Sequence, residues 1–139
     1  MAKKVGLLQK IIMPVLMLLT FIVVNSLTTV AAKDEIAMID GKDYPLYIDK
    51  KAGIIINREC HSANGKFDCQ AAKALKKASF KTVKIEGGAN PGAVMCAPLG
   101  GRVVLSVDAR KNETTYCQFP DGSLVANGTI TFHARQNDQ

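Results

Sequence analysis

The chain has 139 residues, with 18 Lys and Arg, 12 Asp and Glu, and a formal net charge of +6. All of the acidic residues but only 15 of the basic ones follow residue 32, so the net charge of that remainder is near +3. This value is ordinary for about a hundred residues and gives no reason to expect a nucleic-acid partner. A chain of this size forms one domain with a modest core, for which disulfides still add stability.

The first segment of the chain has the pattern of a secretory signal peptide. Three lysines lie within residues 1–10, residues 11–30 are almost wholly apolar, and small residues end the run. A basic start, an apolar middle and a small-residue end are typical of a signal that is removed on export. We therefore predict a signal peptide over residues 1–32, with cleavage between Ala32 and Lys33. The alternative is an uncleaved anchor, since about 20 apolar residues are enough to span a bilayer.

Four cysteines follow the predicted signal, at Cys60, Cys69, Cys96 and Cys117. An even number of cysteines in an exported chain indicates two disulfides. Three pairings are possible, and we predict that neighbours pair, because each neighbouring pair brackets a compact local unit. A zinc site is the alternative, but no two of the cysteines are separated by only two residues.

Residues 33–89 form the N-terminal part of the predicted domain, with short strands and one helix. Strands are predicted at residues 36–39, 44–48, 53–56 and 80–85. Asp68 stands where an N-cap belongs, in front of a run of strong helix formers at residues 69–78. Three lysines gather on the outer side of this helix, at Lys73, Lys76 and Lys77.

Residues 90–139 hold the clearest pattern in the chain. Asn90 followed by Pro91 is a helix-start signal, and the helix runs through Cys96 toward a Gly-Gly pair. Strands are then predicted at residues 102–107, 114–119 and 129–133, with Val103, Leu105 and Val107 on one face and with Tyr116 and Cys117 facing opposite sides. The predicted fold class is α+β, a small disulfide-stabilised domain with short helices packed on an antiparallel β-meander.

These C-terminal motifs resemble a known family. The run NPGAVMC from Asn90, the Gly-Gly pair and the run YCQFPDGS resemble the bacterial domain-of-unknown-function family number three hundred and thirty-three, often labelled hemolysin. The resemblance covers Asn90 to about Phe132 and implies an exported or lipid-anchored bacterial protein without an established activity. Members commonly continue with a Cys, a Trp-Ala pair and a final Cys. This chain instead has Leu124-Val125-Ala126-Asn127-Gly128 and contains no Trp.

The sequence contains no recognisable catalytic constellation. His61 and His133 are the only histidines, and Ser62 beside His61 is the one candidate nucleophile–base pair. Adjacent residues seldom face each other productively, and His133 is interpreted as a surface residue near the end of a strand. The acidic residues are scattered singly, without the spacing of a general acid and base. We therefore predict a non-enzymatic protein with no cofactor and no metal.

Together these features favour an exported bacterial binding or envelope-associated protein, periplasmic or secreted, with an unidentified envelope or extracellular partner. One alternative is a membrane-active, hemolysin-like secreted protein, for which the lysine-bearing helix at residues 73–77 is the only local support. Another is an envelope protein held in the inner membrane by an uncleaved N-terminal helix. The sequence leaves the ligand, the biological role and the oligomeric state open.

Overall fold

The structure is a computed structural model that describes residues 35–139. The predicted signal peptide and its cleavage between Ala32 and Lys33 lie outside the described residues. The strands and helices are β1 (Ile36–Ile39), β2 (Lys42–Asp49), β3 (Ile54–Asn57), α1 (Gln70–Leu75), α2 (Pro91–Cys96), β4 (Arg102–Val107), β5 (Glu113–Gln118), β6 (Leu124–Ala126) and α3 (Asn127–Asn137). Single turns of 3₁₀ helix occupy Arg58–Cys60 and Phe80–Thr82. The described residues form one compact unit.

The six strands form one antiparallel sheet in the order β1-β2-β3-β6-β5-β4. The first three strands make one meander and the last three another, and the two join where Ile56 of β3 lies opposite Val125 of β6. The sheet curls so that its edge strands meet. At this junction the Met38 amide in β1 donates a 3.0 Å hydrogen bond to Ser106 Oγ in β4. The predicted meander is therefore half of a partly closed barrel, in which each edge strand shields the other.

The interior of this barrel is filled by one apolar cluster. Its buried members are Ala37, Ile39, Leu46, Val104, Tyr116, Leu124 and Ala126. Side chains alternate along a strand, so Cys117 and Val125 point to the opposite, outer side of the sheet. Tyr116 and Cys117 therefore face opposite sides, as predicted. Burial raises the pKa of the Tyr116 hydroxyl, and the nearby negative charge of Glu35 raises it further.

The three helices pack on the outer face of the sheet and enclose a second cluster. At its centre Ile56, Met95, Val125 and Ile130 are almost completely buried. Both disulfides lie in this cluster, one joining Cys60 to Cys69 and the other joining Cys96 to Cys117. Helices beside an antiparallel sheet confirm the predicted α+β class.

The strand predicted at residues 129–133 is wrong, because this segment belongs to helix α3. Thr129, Ile130, Thr131 and Phe132 alternate polar and apolar side chains, which imitates the period of a strand. Ile130 and Ala134 are four residues apart and fully buried, so they form the core-facing side of a helix. Burial of that face overrides the strand preference of the β-branched residues. The third C-terminal strand is β6, directly before the helix.

The strand predicted at residues 80–85 is also wrong. The Oγ of Ser79 accepts a hydrogen bond from the amide of Lys81, which starts a single 3₁₀ turn over Phe80–Thr82. Asp138 accepts hydrogen bonds from the Ser79 hydroxyl and the Phe80 amide. These contacts with the C-terminal end of the chain commit the local backbone to a turn, and no sheet partner is present for it among the described strands.

Helix α1 and strand β4 depart from their predictions in detail. Cys69, rather than Asp68, is the N-cap of α1, and Asp68 instead forms a 3.1 Å ion pair with Lys73. Val103, Leu105 and Val107 share one face of β4, as predicted, but this face is exposed. The buried face of β4 carries Val104 and Ser106, because the barrel interior lies on that side.

Candidate functional site

Asn90, Pro91 and Gly92 open helix α2 and let it approach α3. The Oδ1 of Asn90 accepts hydrogen bonds from the amides of Gly92 (3.1 Å) and Ala93 (3.3 Å), which confirms the predicted N-cap. A Cβ atom at Gly92 would lie 1.9 Å from the carbonyl oxygen of Asn127, at the start of α3. Only glycine leaves room for this contact between the two helices.

The Gly-Gly pair lies against the disulfide between Cys96 and Cys117. Gly100 has a φ of +92°, a left-handed conformation that favours glycine. A Cβ atom at Gly101 would lie 2.4 Å from the Sγ of Cys117 and 3.1 Å from the Sγ of Cys96. The pair therefore turns the chain tightly over the disulfide and leads it into β4.

Asp121 and Ser123, in the turn before β6, cap helix α1 from a distant part of the chain. The amide of Gln70 donates a 2.7 Å hydrogen bond to Asp121 Oδ2, and the amide of Ala71 donates a 2.9 Å bond to Ser123 Oγ. Partial burial by itself would raise the pKa of Asp121, but hydrogen bonds from Ser123 and from the Gln70 amide hold it below its usual value. Asp121 and Ser123 of the motif therefore stabilise the fold.

A cavity of about 440 Å³ lies between α1, α3, β3 and the loop enclosed by the Cys60–Cys69 disulfide. Ten residues from four separate segments line it, and five of them have apolar side chains. The lining residues are Ile54, Ile56, Gly65, Lys66, Phe67, Ala72, Leu75, Lys76, His133 and Asn137. The side-chain amide of Asn137 donates hydrogen bonds to the backbone carbonyl oxygens of Leu75 and Ala78, which holds α3 against α1 at this wall.

An aromatic cluster supports the loop side of the cavity. The rings of Tyr47 and His61 stack at 4.3 Å between centroids, and Phe67 lies 5.5 Å from Tyr47 and 5.0 Å from His61. The Ser62 hydroxyl donates to the carbonyl oxygen of Lys66 at 2.8 Å, within the loop. His61 is therefore engaged with aromatic rings, and the hydroxyl of its neighbour is engaged with the loop backbone.

His133 lies in the wall of the cavity, which contradicts its interpretation as a surface residue on a strand. Its Nε2 is buried and has no hydrogen-bond partner within residues 35–139. Burial lowers the pKa of the imidazole below its usual value, so the ring is neutral near pH 7. The sequence signal for this position was helical spacing, since His133 and Asn137 are four residues apart on one face of α3.

The cavity carries positive charge without a balancing acid. Lys66 comes from the loop and Lys76 follows the end of α1, and none of the lining residues is Asp or Glu. Within the described part of the chain neither lysine forms an ion pair, whereas Lys73 on the same helix is paired with Asp68. An anion at this wall would therefore meet two unpaired ammonium groups.

A second notable surface lies where the edge strands β1 and β4 meet. Five large apolar side chains on the outer face of these strands are roughly half exposed: Ile36, Met38, Val103, Leu105 and Val107. We call them the seam strip. Exposed apolar side chains grouped in this way mark interaction surfaces more often than single ones do.

The four cysteines are all bonded, which leaves no thiolate for the zinc alternative. Within residues 35–139 no three His, Cys, Asp or Glu residues are grouped closely enough to hold a metal ion. In the same part of the chain, no helix combines the length and the hydropathy needed to cross a membrane.

Comparison with known proteins gives one family match. Residues 87–127 match the profile of a family described as "Domain of unknown function (DUF333)". The chain matches no curated protein and no solved structure. The matched segment contains α2, β4, β5 and β6 and includes the motif residues from Asn90 to Ser123. It corresponds to the family that the motifs resemble, and this chain therefore carries a segment of the DUF333 family.

Proposed function

We propose that this protein is an exported bacterial binding protein that acts without catalysis and takes a small, largely apolar ligand in the cavity between α1 and α3. The observation that carries the proposal is the cavity itself, with about 440 Å³ of space, mainly apolar walls and a few polar groups. Small-ligand sites in proteins typically have this size and composition. Export is supported by the signal pattern over residues 1–32 and by the two disulfides, which persist in oxidising compartments.

An apolar ligand would cover the apolar surface that this solvent-open cavity leaves exposed. Protein interiors are close-packed, and apolar side chains that stay in contact with water forgo about 25 cal/mol per Å² of burial. Ile54 and Phe67 line the cavity and are only half-buried, so they would recover part of this energy by contact with an apolar ligand. The two histidines and two lysines at or near the wall supply the polar groups that orient a ligand.

Titration with a neutral, environment-sensitive naphthylamine dye tests this proposal. We expect saturable binding of one dye per protein, with the affinity lowered about tenfold by Phe67→Ala because a ring in the wall is lost. Leu105→Ala is the control, since this half-exposed apolar side chain lies on β4 outside the cavity and the change should leave dye binding unaltered. Equal dye binding by both variants and by the parent protein would contradict the proposal.

The envelope-anchored alternative has an observation of its own. The seam strip begins at Ile36, only four residues after Ala32, at which the apolar N-terminal segment ends. An uncleaved anchor would therefore keep these apolar side chains near a bilayer surface. Mass spectrometry of the exported protein distinguishes the alternatives, because a chain that begins at Lys33 rejects the anchor and an intact N-terminal segment supports it.

The membrane-active alternative depended on the lysine-bearing helix. Helix α1 buries Ala71, Ala72, Ala74 and Leu75 in the protein core. Because these are its apolar residues, the helix keeps no apolar face with which to enter a bilayer. We therefore rank this alternative last, and leakage of dye from anionic liposomes at micromolar protein concentration would reverse that order.

A further inference from the structure

We propose that the ligand of the cavity is an anionic amphiphile, with an apolar body against Ile54 and Phe67 and a carboxylate held between Lys66 and Lys76. This proposal rests on the proposed binding function and adds the chemical class of the ligand. It follows from the charge of the wall, from the nature of its remaining surface and from its size.

The charge of the wall selects for an anion. Lys66 and Lys76 approach the cavity from different elements, and no carboxylate among the lining residues offsets them. Charge-assisted hydrogen bonds between ammonium and carboxylate groups are about twice as strong as neutral ones. His133 is neutral and adds no charge to the wall, so the two lysines distinguish anions from neutral ligands.

The remaining surface selects for an apolar body. Five of the lining side chains are apolar: Ile54, Ile56, Phe67, Ala72 and Leu75. Ile56, Ala72 and Leu75 are already buried, so a small anion such as acetate would leave mainly Ile54 and Phe67, which are half-buried, in contact with water. Each CH₂ group that a longer ligand buries there contributes about 0.8 kcal/mol to binding. With a volume of about 440 Å³, the cavity lies in the lower part of the range of about 300 to 1,000 Å³ that is typical of small-ligand sites. A medium-length fatty carboxylate fits a site of this volume.

Two lysines outside the cavity provide a matched control. Lys77 and Lys84 are exposed and are absent from the lining, so their double change to Gln removes the same net charge from the protein. A general electrostatic effect would therefore weaken anion binding equally in the Lys66→Gln/Lys76→Gln and the Lys77→Gln/Lys84→Gln proteins. A specific site would weaken it only in the first.

The experiment titrates protein expressed from the full chain and recovered without detergent, using decanoate, decanol and decylamine below their aggregation concentrations. Calorimetry gives the affinities, and the imidazole NMR signals of His133 and His61 report occupation of the cavity. We expect decanoate to bind about tenfold more tightly than decanol, with decylamine weakest. Lys66→Gln/Lys76→Gln should reduce the decanoate affinity to within about twofold of decanol, while Lys77→Gln/Lys84→Gln retains the preference.

The outcomes separate this inference from the function on which it rests. Equal affinities for decanoate and decanol, with His133 shifted by both, would overturn the inference and leave the binding function intact. A His133 signal unmoved by all three compounds and by the naphthylamine dye would overturn both. Binding of phosphatidylglycerol vesicles without binding of free decanoate would also overturn the inference, in favour of a membrane surface. The unfolding midpoints of both double variants show whether either change has disturbed the fold.

Discussion

The family segment, residues 87–127, and the cavity lie in different parts of the chain. The segment supplies α2 and strands β4 to β6, whereas every residue that lines the cavity lies before residue 77 or after residue 132. Motif residues of the segment contact backbone or the disulfide, as Gly92 and Gly101 do. In the cavity, Lys66 and Lys76 are instead exposed and Phe67 is half-exposed. The family motif therefore specifies a scaffold, and the elements around it determine what the protein can bind.

The two regions meet where Ile56 of β3 pairs with Val125 of β6, and at two further places that position the walls of the cavity. Gly92 in α2 touches the start of α3, and Asp121 with Ser123 caps the start of α1. Changes in the segment should therefore act on stability first and on binding only through it. Changes of the exposed lining residues, such as Lys66 and Lys76, should act on binding with little effect on stability.

Replacement of Gly92 by Ala should have the largest effect on the scaffold. The new Cβ would lie 1.9 Å from the carbonyl oxygen of Asn127, so α2 and α3 must separate. We expect the free energy of unfolding to fall by about 3 kcal/mol or more. Gly128→Ala is the control, since nothing lies within 4 Å of its Cβ position. Urea unfolding measures both, and a Gly92→Ala protein as stable as the control would contradict the structure.

Removal of the two disulfides should separate the regions. Cys96 and Cys117 are 21 residues apart, so their change to Ala should cost about 3 kcal/mol in the chain-entropy model. Cys60 and Cys69 are nine apart, and their loss should cost about 2.5 kcal/mol. Only the second change frees the loop that carries Lys66, so it alone should weaken ligand binding while the protein is still folded. Thermal melts and dye titration on both variants provide the test.

Asp121→Ala should cost about 1 to 2 kcal/mol, since α1 loses a cap and Ser123 loses a partner. The pKa of Asp121 is lower in the folded protein than its usual value of 3.8. Its stabilising contribution is thus fully present above about pH 4 and is lost as the pH falls through the folded pKa. Urea unfolding between about pH 3 and pH 6 should show a shallower decline for the variant than for the parent. An exposed Asp43→Ala control should change the free energy by less than about 0.5 kcal/mol.

His133→Leu should have the smallest effect, below about 1 kcal/mol, because the imidazole is only partly buried. The folded pKa of His133 is lower than its usual value of 6.5, so the unfolded chain takes up the proton first. Stability is therefore complete above about pH 6.5 and declines as the pH falls below it. Melting points at about pH 7.5 and pH 5 should differ less in this variant than in the parent. His61→Leu serves as the control. If the two melting points differ as much in His133→Leu as in the parent, the pH dependence does not arise from His133.

Much of the scaffold could be predicted from short-range signals. Asn90 and Pro91 started a helix as expected, and Asp40 with Gly41, both at positive φ, form the tight turn between β1 and β2. Local signals misled at residues 129–133, where the alternation of Thr and Ile resembled a strand. Whether such a segment becomes a strand or a helix depends on which face can be buried, and that is set by β6 and α1.

The cavity could not be predicted because its parts are distant in sequence. Lys76 follows the end of α1 and His133 lies in α3. Lys76 is exposed, in agreement with its interpretation as part of a solvated face, but its position beside His133 depends on the packing of α3 against α1. Helical spacing placed His133 beside Asn137, but this spacing becomes visible only once α3 is known to be a helix. A cavity is defined by what packing leaves unfilled, and no local signal encodes it.

The sequence by itself determined the chemical character of the chain: its α+β class, its family segment, its apolar N-terminal segment and its disulfide content. These depend on composition, on local periodicity and on motif residues that act on their neighbours. The tertiary structure decided that the edge strands close on each other, that Asp121 caps α1, and that Lys66, Lys76 and His133 share one wall. Such contacts join residues about 50 to 70 positions apart, and only the burial of the two apolar clusters brings them together.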